Sequence, residues 1–181
     1  MLDFLKDEND ALLILKADHD KVKDLFSEFK KTESMAEKKR IATEAINELR
    51  IHATIEEELF YPALRGKEDV DQDLLNESDE EHHVAKLLIA ELITMTTEDH
   101  FVAKFTVLAE NIEHHVKEEE NDLFPQARRT DVDFVALGKK LTARKNQLKK
   151  NGIPLSAEEK LMMQVGIVDS PMQAAKTKRA A

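Results

Sequence analysis

Four histidines and two glutamates in this chain stand at spacings that suit the capture of metal ions. His52 and Glu56 are four residues apart, and so are His115 and Glu119. On a helix this spacing projects both side chains from one face. Each pair follows a lone histidine at the same distance, 33 residues from His19 to His52 and 33 from His82 to His115. A shift of 63 residues relates the two sets, carrying HATIEEELFYP (52–62) onto HVKEEENDLFP (115–125). The same shift carries ADHDKVKDLFSEF around His19 onto EEHHVAKLLIAEL around His82. Imidazole and carboxylate are ligands for iron, manganese or zinc, and without thiolate the set leans to hard or borderline metals. Four His and two Glu exceed the ligand number of tetrahedral zinc. They divide well between two octahedral ions bridged by carboxylates.

The competing reading is a metal-free polar network in which His donates to Glu. One HxxxE pair alone would favour that reading, because helical His and Glu are common. Two matched sets on apolar seams reverse the balance, since an ionised carboxylate in a core is costly unless paired or bound to a cation. His83 and His114 each lie one residue off the seam, about 100° round the helix, and read as flanking residues. His100 reads as a surface or capping residue. Glu57, Glu58, Glu118 and Glu120 read as solvated faces, with orientation of ligand imidazoles the alternative for Glu57 and Glu120, which recur in the repeat.

Helices must position these residues. Leu12, Leu15, His19, Val22, Phe26 and Phe29 recur at alternating intervals of three and four, the seam of a first helix over 7–31. Ser34 and Glu37 have capping-box spacing for a second helix, which runs to about Tyr61 and is ended by Pro62 and Gly66. GKEDVDQDLLNES reads as a loop, and Ser78 with Glu81 as the cap of a third helix over 78–96. Thr96, Thr97 and Asp99 make a turn into a fourth, closed by Pro125. The expected fold is all-α, an up-down-up-down four-helix bundle of two pseudo-symmetric hairpins. The bundle occupies 1–128. Residues 129–181 form a second unit, with a basic helix over 131–150, the short amphipathic stretch SAEEKLMMQV and a frayed tail from Ser170. Because all six seam ligands precede Arg129, a chain cut there should keep its metals, unless Phe134, Val135, Leu137, Leu141 and Leu148 dock onto the bundle.

Composition narrows the function. The chain has 181 residues, four Gly, four Pro and no Cys, so disulfides and thiolate sites are absent. No apolar run approaches the ~20 residues of a membrane span, and acids fill the N-terminal stretch where a secretory signal would be basic. A cytoplasmic location is the expectation. Residues 1–127 carry 15 Lys+Arg against 32 Asp+Glu, and residues 128–181 carry 12 against 5. The acidic body excludes a nucleic-acid scaffold, while the basic C-terminal segment leaves a protein partner possible.

At the lone His, HxxxE, lone His, HxxxE pattern, with EEELFYP and EEENDLFP, residues 10–128 resemble the hemerythrin-like (HHE cation-binding) family. The resemblance implies a di-iron centre, with manganese or zinc as lesser alternatives. It implies terminal ligands His19, His52, His82 and His115, and bridging by Glu56, Glu119 and a solvent-derived oxo or hydroxo oxygen. The implied partner is O2 or a related small oxidant, peroxide or nitric oxide, which the protein binds, senses or reacts with. Oxygen-carrying hemerythrins use five His, two of them four residues apart on the third helix. Here Lys86 stands four after His82, which argues against reversible carriage unless His83 or His114 turns inward. Two rival readings are a metal-dependent sensor or adaptor acting through the C-terminal segment, and a di-iron oxidase or iron-handling protein.

Overall fold

Asp10 starts the first helix in the way its side chain allows, accepting hydrogen bonds from the Leu12 and Leu13 amides. A computed structural model of the chain describes residues 7–95 and 98–165, and all regular structure among them is helical. The expected Thr96–Thr97 turn and the tail from Ser170 lie outside the described residues. Helix α1 (Ala11–Lys31) is followed by α2 (Met35–Ile55), which the Ser34 hydroxyl caps by accepting from the Glu37 amide. A π-helical turn (Glu56–Phe60) leads into the short α3 (Tyr61–Leu64). Then come α4 (Gln72–Thr94), α5 (Phe101–Glu118), a second π-helical turn (Glu119–Leu123) and the short α6 (Phe124–Ala127). Helices α7 (Phe134–Asn151) and α8 (Ala157–Val165) complete the chain. His100, left-handed at φ 64°, takes the N-cap position of α5.

Several boundaries differ from the expectation, the first being α1, which begins at Ala11 rather than at residue 7 because Asp10 caps it. Helix α4 begins at Gln72 rather than Ser78, because Asp71 already caps it by accepting from the Asp73 amide. Burial of Leu75 rewards the extra turns, and Ser78 sits inside the helix with its hydroxyl donating to the Leu74 carbonyl. Pro62 and Pro125 do not stop their helices either. Each follows a π-helical turn, in which the Tyr61 amide reaches the Glu56 carbonyl and the Phe124 amide reaches that of Glu119. The wider turn absorbs the N–H that proline cannot supply.

The four long helices form two antiparallel hairpins, α1 on α2 and α4 on α5, with sparser contact between the hairpins. One apolar cluster, around Phe26, Phe29, Ile41 and Phe105, fills the end near the α1–α2 turn. A second, around Leu15, Ile55, Phe60, Leu64 and Leu123, fills the other. Helix α7 lies across α1 and α2, and its Phe134, Leu137, Leu141 and Leu148 belong to that second cluster. Its cations face the acidic bundle, Arg144 pairing with Glu58, Lys145 with Asp18 and Lys149 with Glu48.

Gly138 is what lets α7 come this close. A Cβ there would lie 1.7 Å from the Asn9 carbonyl oxygen and 2.9 Å from the Ala11 amide nitrogen. Both are backbone atoms, so neither can swing aside. Gly138→Ala should destabilise the protein by about 1–3 kcal/mol through overpacking, despite the higher helix propensity of alanine. An unchanged thermal midpoint would mean that α7 is not seated this tightly.

Candidate metal centre

All six predicted side chains converge between the two apolar clusters, and all are buried. The geometry keeps the twofold relation of the sequence. His19 Nε2 lies 3.0 Å from His52 Nε2, and His82 Nε2 lies 3.2 Å from His115 Nε2. The two carboxylates stand between these pairs. Glu56 presents Oε1 to His52 at 3.1 Å and Oε2 to His82 at 3.4 Å. Glu119 Oε2 lies 3.2 Å from His19 and 3.7 Å from His115. Each glutamate therefore reaches both imidazole pairs, as a bridging ligand must.

The outer ring nitrogens decide which way the inner ones point. His19 Nδ1 meets Glu120 at 3.1 Å, His82 Nδ1 meets Glu57 at 2.9 Å and His115 Nδ1 meets Glu81 at 2.7 Å. His52 Nδ1 faces Asp18 at the longer distance of 3.5 Å. A carboxylate at Nδ1 fixes the proton there and leaves the Nε2 lone pair free. These carboxylates are themselves held: Lys16 and Lys23 pair with Glu120, Lys86 with Glu57 and Lys145 with Asp18.

Four Nε2 atoms thus aim at a small volume that also contains carboxylate oxygens. Both oxygens of Glu56 and Oε2 of Glu119 are buried without a hydrogen-bond donor. Facing acceptors repel, and leaving them unpaired is costly. A cation removes the conflict. His19, His52, Glu56 and Glu119 form one group able to hold an ion, and Glu56, His82 and His115 form another.

Tyr61, the single tyrosine of the chain, is a member of the site that sequence reasoning missed. Its hydroxyl donates to Glu119 Oε1 at 2.9 Å and lies 3.3 Å from His82 Nε2. In an unbroken α-helix it would stand about 140° round from Glu56, and the π-helical turn swings it inward. Burial, with Glu119 and Glu56 adding to it, pushes the phenol well above its usual value, so it stays protonated. Its repeat equivalent, Phe124, instead stacks on His19 at 5.8 Å. Asp18 and Glu81 were also missed, although an acid directly before each lone histidine recurs with the repeat. His83 and His114 do not turn inward; their side chains are 52% and 60% exposed, and they pair with Glu158 and Glu118.

Without metal, protons take the cation's place. Burial works against charging His52, but Glu56 and Asp18 outweigh it and hold the imidazole up to about 10. For His82 burial is likewise outweighed, by Glu56 and Glu57, and the value rises to about 9. Burial would raise Glu56, yet His52 and His82 pull it well below the usual carboxylate range. A raised His value gives stability that is complete below the unfolded value of about 6.5 and is lost as pH rises through 9 and 10. Metal binding must displace these protons and so strengthens over the same range. The melting midpoint of chelator-treated protein should therefore fall between pH 6.5 and 10, while the gap to metal-loaded protein widens. A gap independent of pH would place the metal away from these imidazoles.

The family model described as the hemerythrin HHE cation binding domain matches residues 10–127. A solved structure of a hemerythrin HHE cation binding domain-containing protein from Mycobacterium kansasii is similar at 26% identity, with a TM-score of 0.65, covering 78% of this chain and 88% of the other. No curated protein sequence matches. Paired imidazoles around shared carboxylates, repeated hairpins and a family model spanning the bundle lead to one statement: the chain belongs to the hemerythrin HHE cation-binding family.

Proposed function

We propose that the protein is a non-haem di-iron protein of hemerythrin type that binds or reacts with O2 or a related small oxidant such as peroxide or nitric oxide. The observation that carries this reading is the orphaned carboxylate oxygens of Glu56 and Glu119 between two inward-facing imidazole pairs. His19 and His52 would hold one ion and His82 and His115 the other, with Glu56 and Glu119 shared. A nitrogen and oxygen donor set without thiolate suits iron, and also admits manganese. When bound, a pair of irons supplies two adjacent redox-active centres for a small oxidant.

The chain's own residues set the conditions for that chemistry. Glu120, Glu57 and Glu81 hold the His19, His82 and His115 rings in orientation, and Asp18 faces the His52 ring at 3.5 Å, which maintains ligand basicity. Phe60, Tyr61 and Phe124 close one side of the centre, while Val22, Leu49, Ile89 and Ile112 line a cavity on the other. An oxidant approaching from the cavity side passes these apolar walls before it reaches the imidazoles. At the centre's edge, Tyr61 keeps its proton on the hydroxyl that bonds Glu119.

Metal analysis with an optical spectrum of protein purified in air tests the reading. Two irons per chain with near-ultraviolet charge-transfer absorption are the expected result. Full occupancy by a single zinc would overturn it. An adaptor role for the C-terminal segment has less support, because Arg144, Lys145 and Lys149 are directed at the bundle.

A further inference from the structure

The cavity beside the metal centre is larger than a diatomic oxidant needs. Its volume is about 220 Å³. Two ions and a solvent oxygen between the imidazoles would take only a minor part of it, at roughly 10–15 Å³ for each water-sized occupant. What remains matches the ~150 Å³ of an apolar cavity that admits benzene. Val22, Leu49, Ala85 and Ile112, one helical turn from the ligands, and Ile89, two turns from His82, make its walls, and none of these carries a hydrogen-bonding side chain.

The outer wall comes from the C-terminal segment. Ile153, Pro154, Leu155, Ser156 and Glu159 line the cavity where α2 and α4 make little contact. A latch holds this strap down. Arg50 of α2 places Nε 2.9 Å from Glu159 Oε1 and donates from Nη2 to Oε2 at 3.0 Å, and Glu159 is only 1% exposed. The same guanidinium donates to the Pro154 carbonyl at 3.3 Å. Ser156 and Glu159 bond each other reciprocally, amide to side chain in both directions, so the strap is rigid where it meets Arg50. On the far side, α8 packs on α4 and Glu158 meets His83 at 2.7 Å.

Charge identifies the class of ligand. Each charged group lining the cavity has a partner of opposite sign: Arg50 has Glu159, Lys86 has Glu57, Arg144 holds Glu58 and Lys145 holds Asp18. A charged ligand would have to break one of these pairs. We propose that the cavity is a binding site for a neutral, largely apolar organic molecule of about the size of one aromatic ring, covered on its outer side by the 153–159 strap, which the Arg50–Glu159 latch holds in place. This extends the function proposed above, from which it takes only the metal centre at the cavity's inner end.

The test uses the full chain as purified and 4-fluorotoluene as the probe, followed by fluorine NMR, with metal content measured in parallel. Saturable binding is expected, in chelator-treated protein as well, because the apolar walls do not depend on metal. Ala85→Phe should fill the cavity and weaken binding by about tenfold or more. Ile112→Phe is the second filling variant, used if the first does not fold. Glu159→Gln should leave metal content unchanged while raising the probe's exchange rate about tenfold. Absence of saturable binding, or binding that both filling variants leave intact, overturns the proposal. An exchange rate unaltered by Glu159→Gln overturns the latch. Loss of the metal result with retained probe binding would sink the di-iron reading and leave the cavity site standing.

Discussion

Glu56→Ala and Glu119→Ala are each expected to reduce metal content from two ions per chain to less than one. Glu56 offers one oxygen to each imidazole pair, and Glu119 Oε2 lies within 3.7 Å of both His19 and His115. On the proposed assignment, removing either carboxylate would take a ligand from both ions and a negative charge from the space between the imidazole pairs. Loss of an orienting residue around a metal typically costs 10–100-fold in affinity, and loss of a shared ligand should exceed that. His83→Ala and His114→Ala serve as matched controls, because both rings are exposed and directed at other acids. Equal metal content in all four variants, measured by elemental analysis after gel filtration, would refute this ligand assignment.

Ending the chain after Arg129 is expected to damage the bundle, because the docking that the sequence left open is realised. All six candidate ligands lie before the cut, yet Phe134, Leu137, Leu141 and Leu148 of α7 are buried in the same cluster as Leu15 and Ile55. At about 1.5–3 kcal/mol per buried side chain, their removal forfeits on the order of 6–12 kcal/mol as an upper bound. Whole domains are stable by only about 5–15 kcal/mol. The cut also takes away Lys145, which holds the Asp18 carboxylate facing His52. The truncated protein should lose helical signal per residue and bind less than two metals. A fully helical, metal-replete fragment would make α7 an appendage and return weight to the adaptor reading.

Helical architecture and the candidate ligands were legible because both are periodic. Seam residues three and four apart specify which face of a helix is buried, whatever it packs on. His and Glu on that face, repeated at 63 residues, stand out against the apolar residues around them. Glu57 and Glu120 read first as solvated acids, their recurrence in the repeat offering orientation only as an alternative, and the structure is what sets them against His82 and His19. Asp18 and Glu81 carried the same signal, but an acid beside a histidine is ordinary on a helix. Only the packed hairpins show that each one reaches the ring on the neighbouring helix.

Other features depended on geometry that spacing does not encode. Pro62 and Pro125 read as helix ends, because local rules know the missing N–H but not the burial that favours continuing past it. The π-helical turns they follow rotate Tyr61 into the centre, and a residue counted at 100° steps from Glu56 points elsewhere. Helix α7 was recognisable as a helix from its sequence, but its place was set by the close approach at Gly138 and by cations meeting the acidic body. The strap over the cavity was invisible, since Arg50 and Glu159 are 109 residues apart and neither belongs to a repeat. Sequence alone thus determined the helices, their buried faces and the six convergent donors, because local periodicity suffices for these. Tertiary structure decided which carboxylate steadies each imidazole, where Tyr61 points and what closes the cavity, because each depends on contacts between segments distant along the chain.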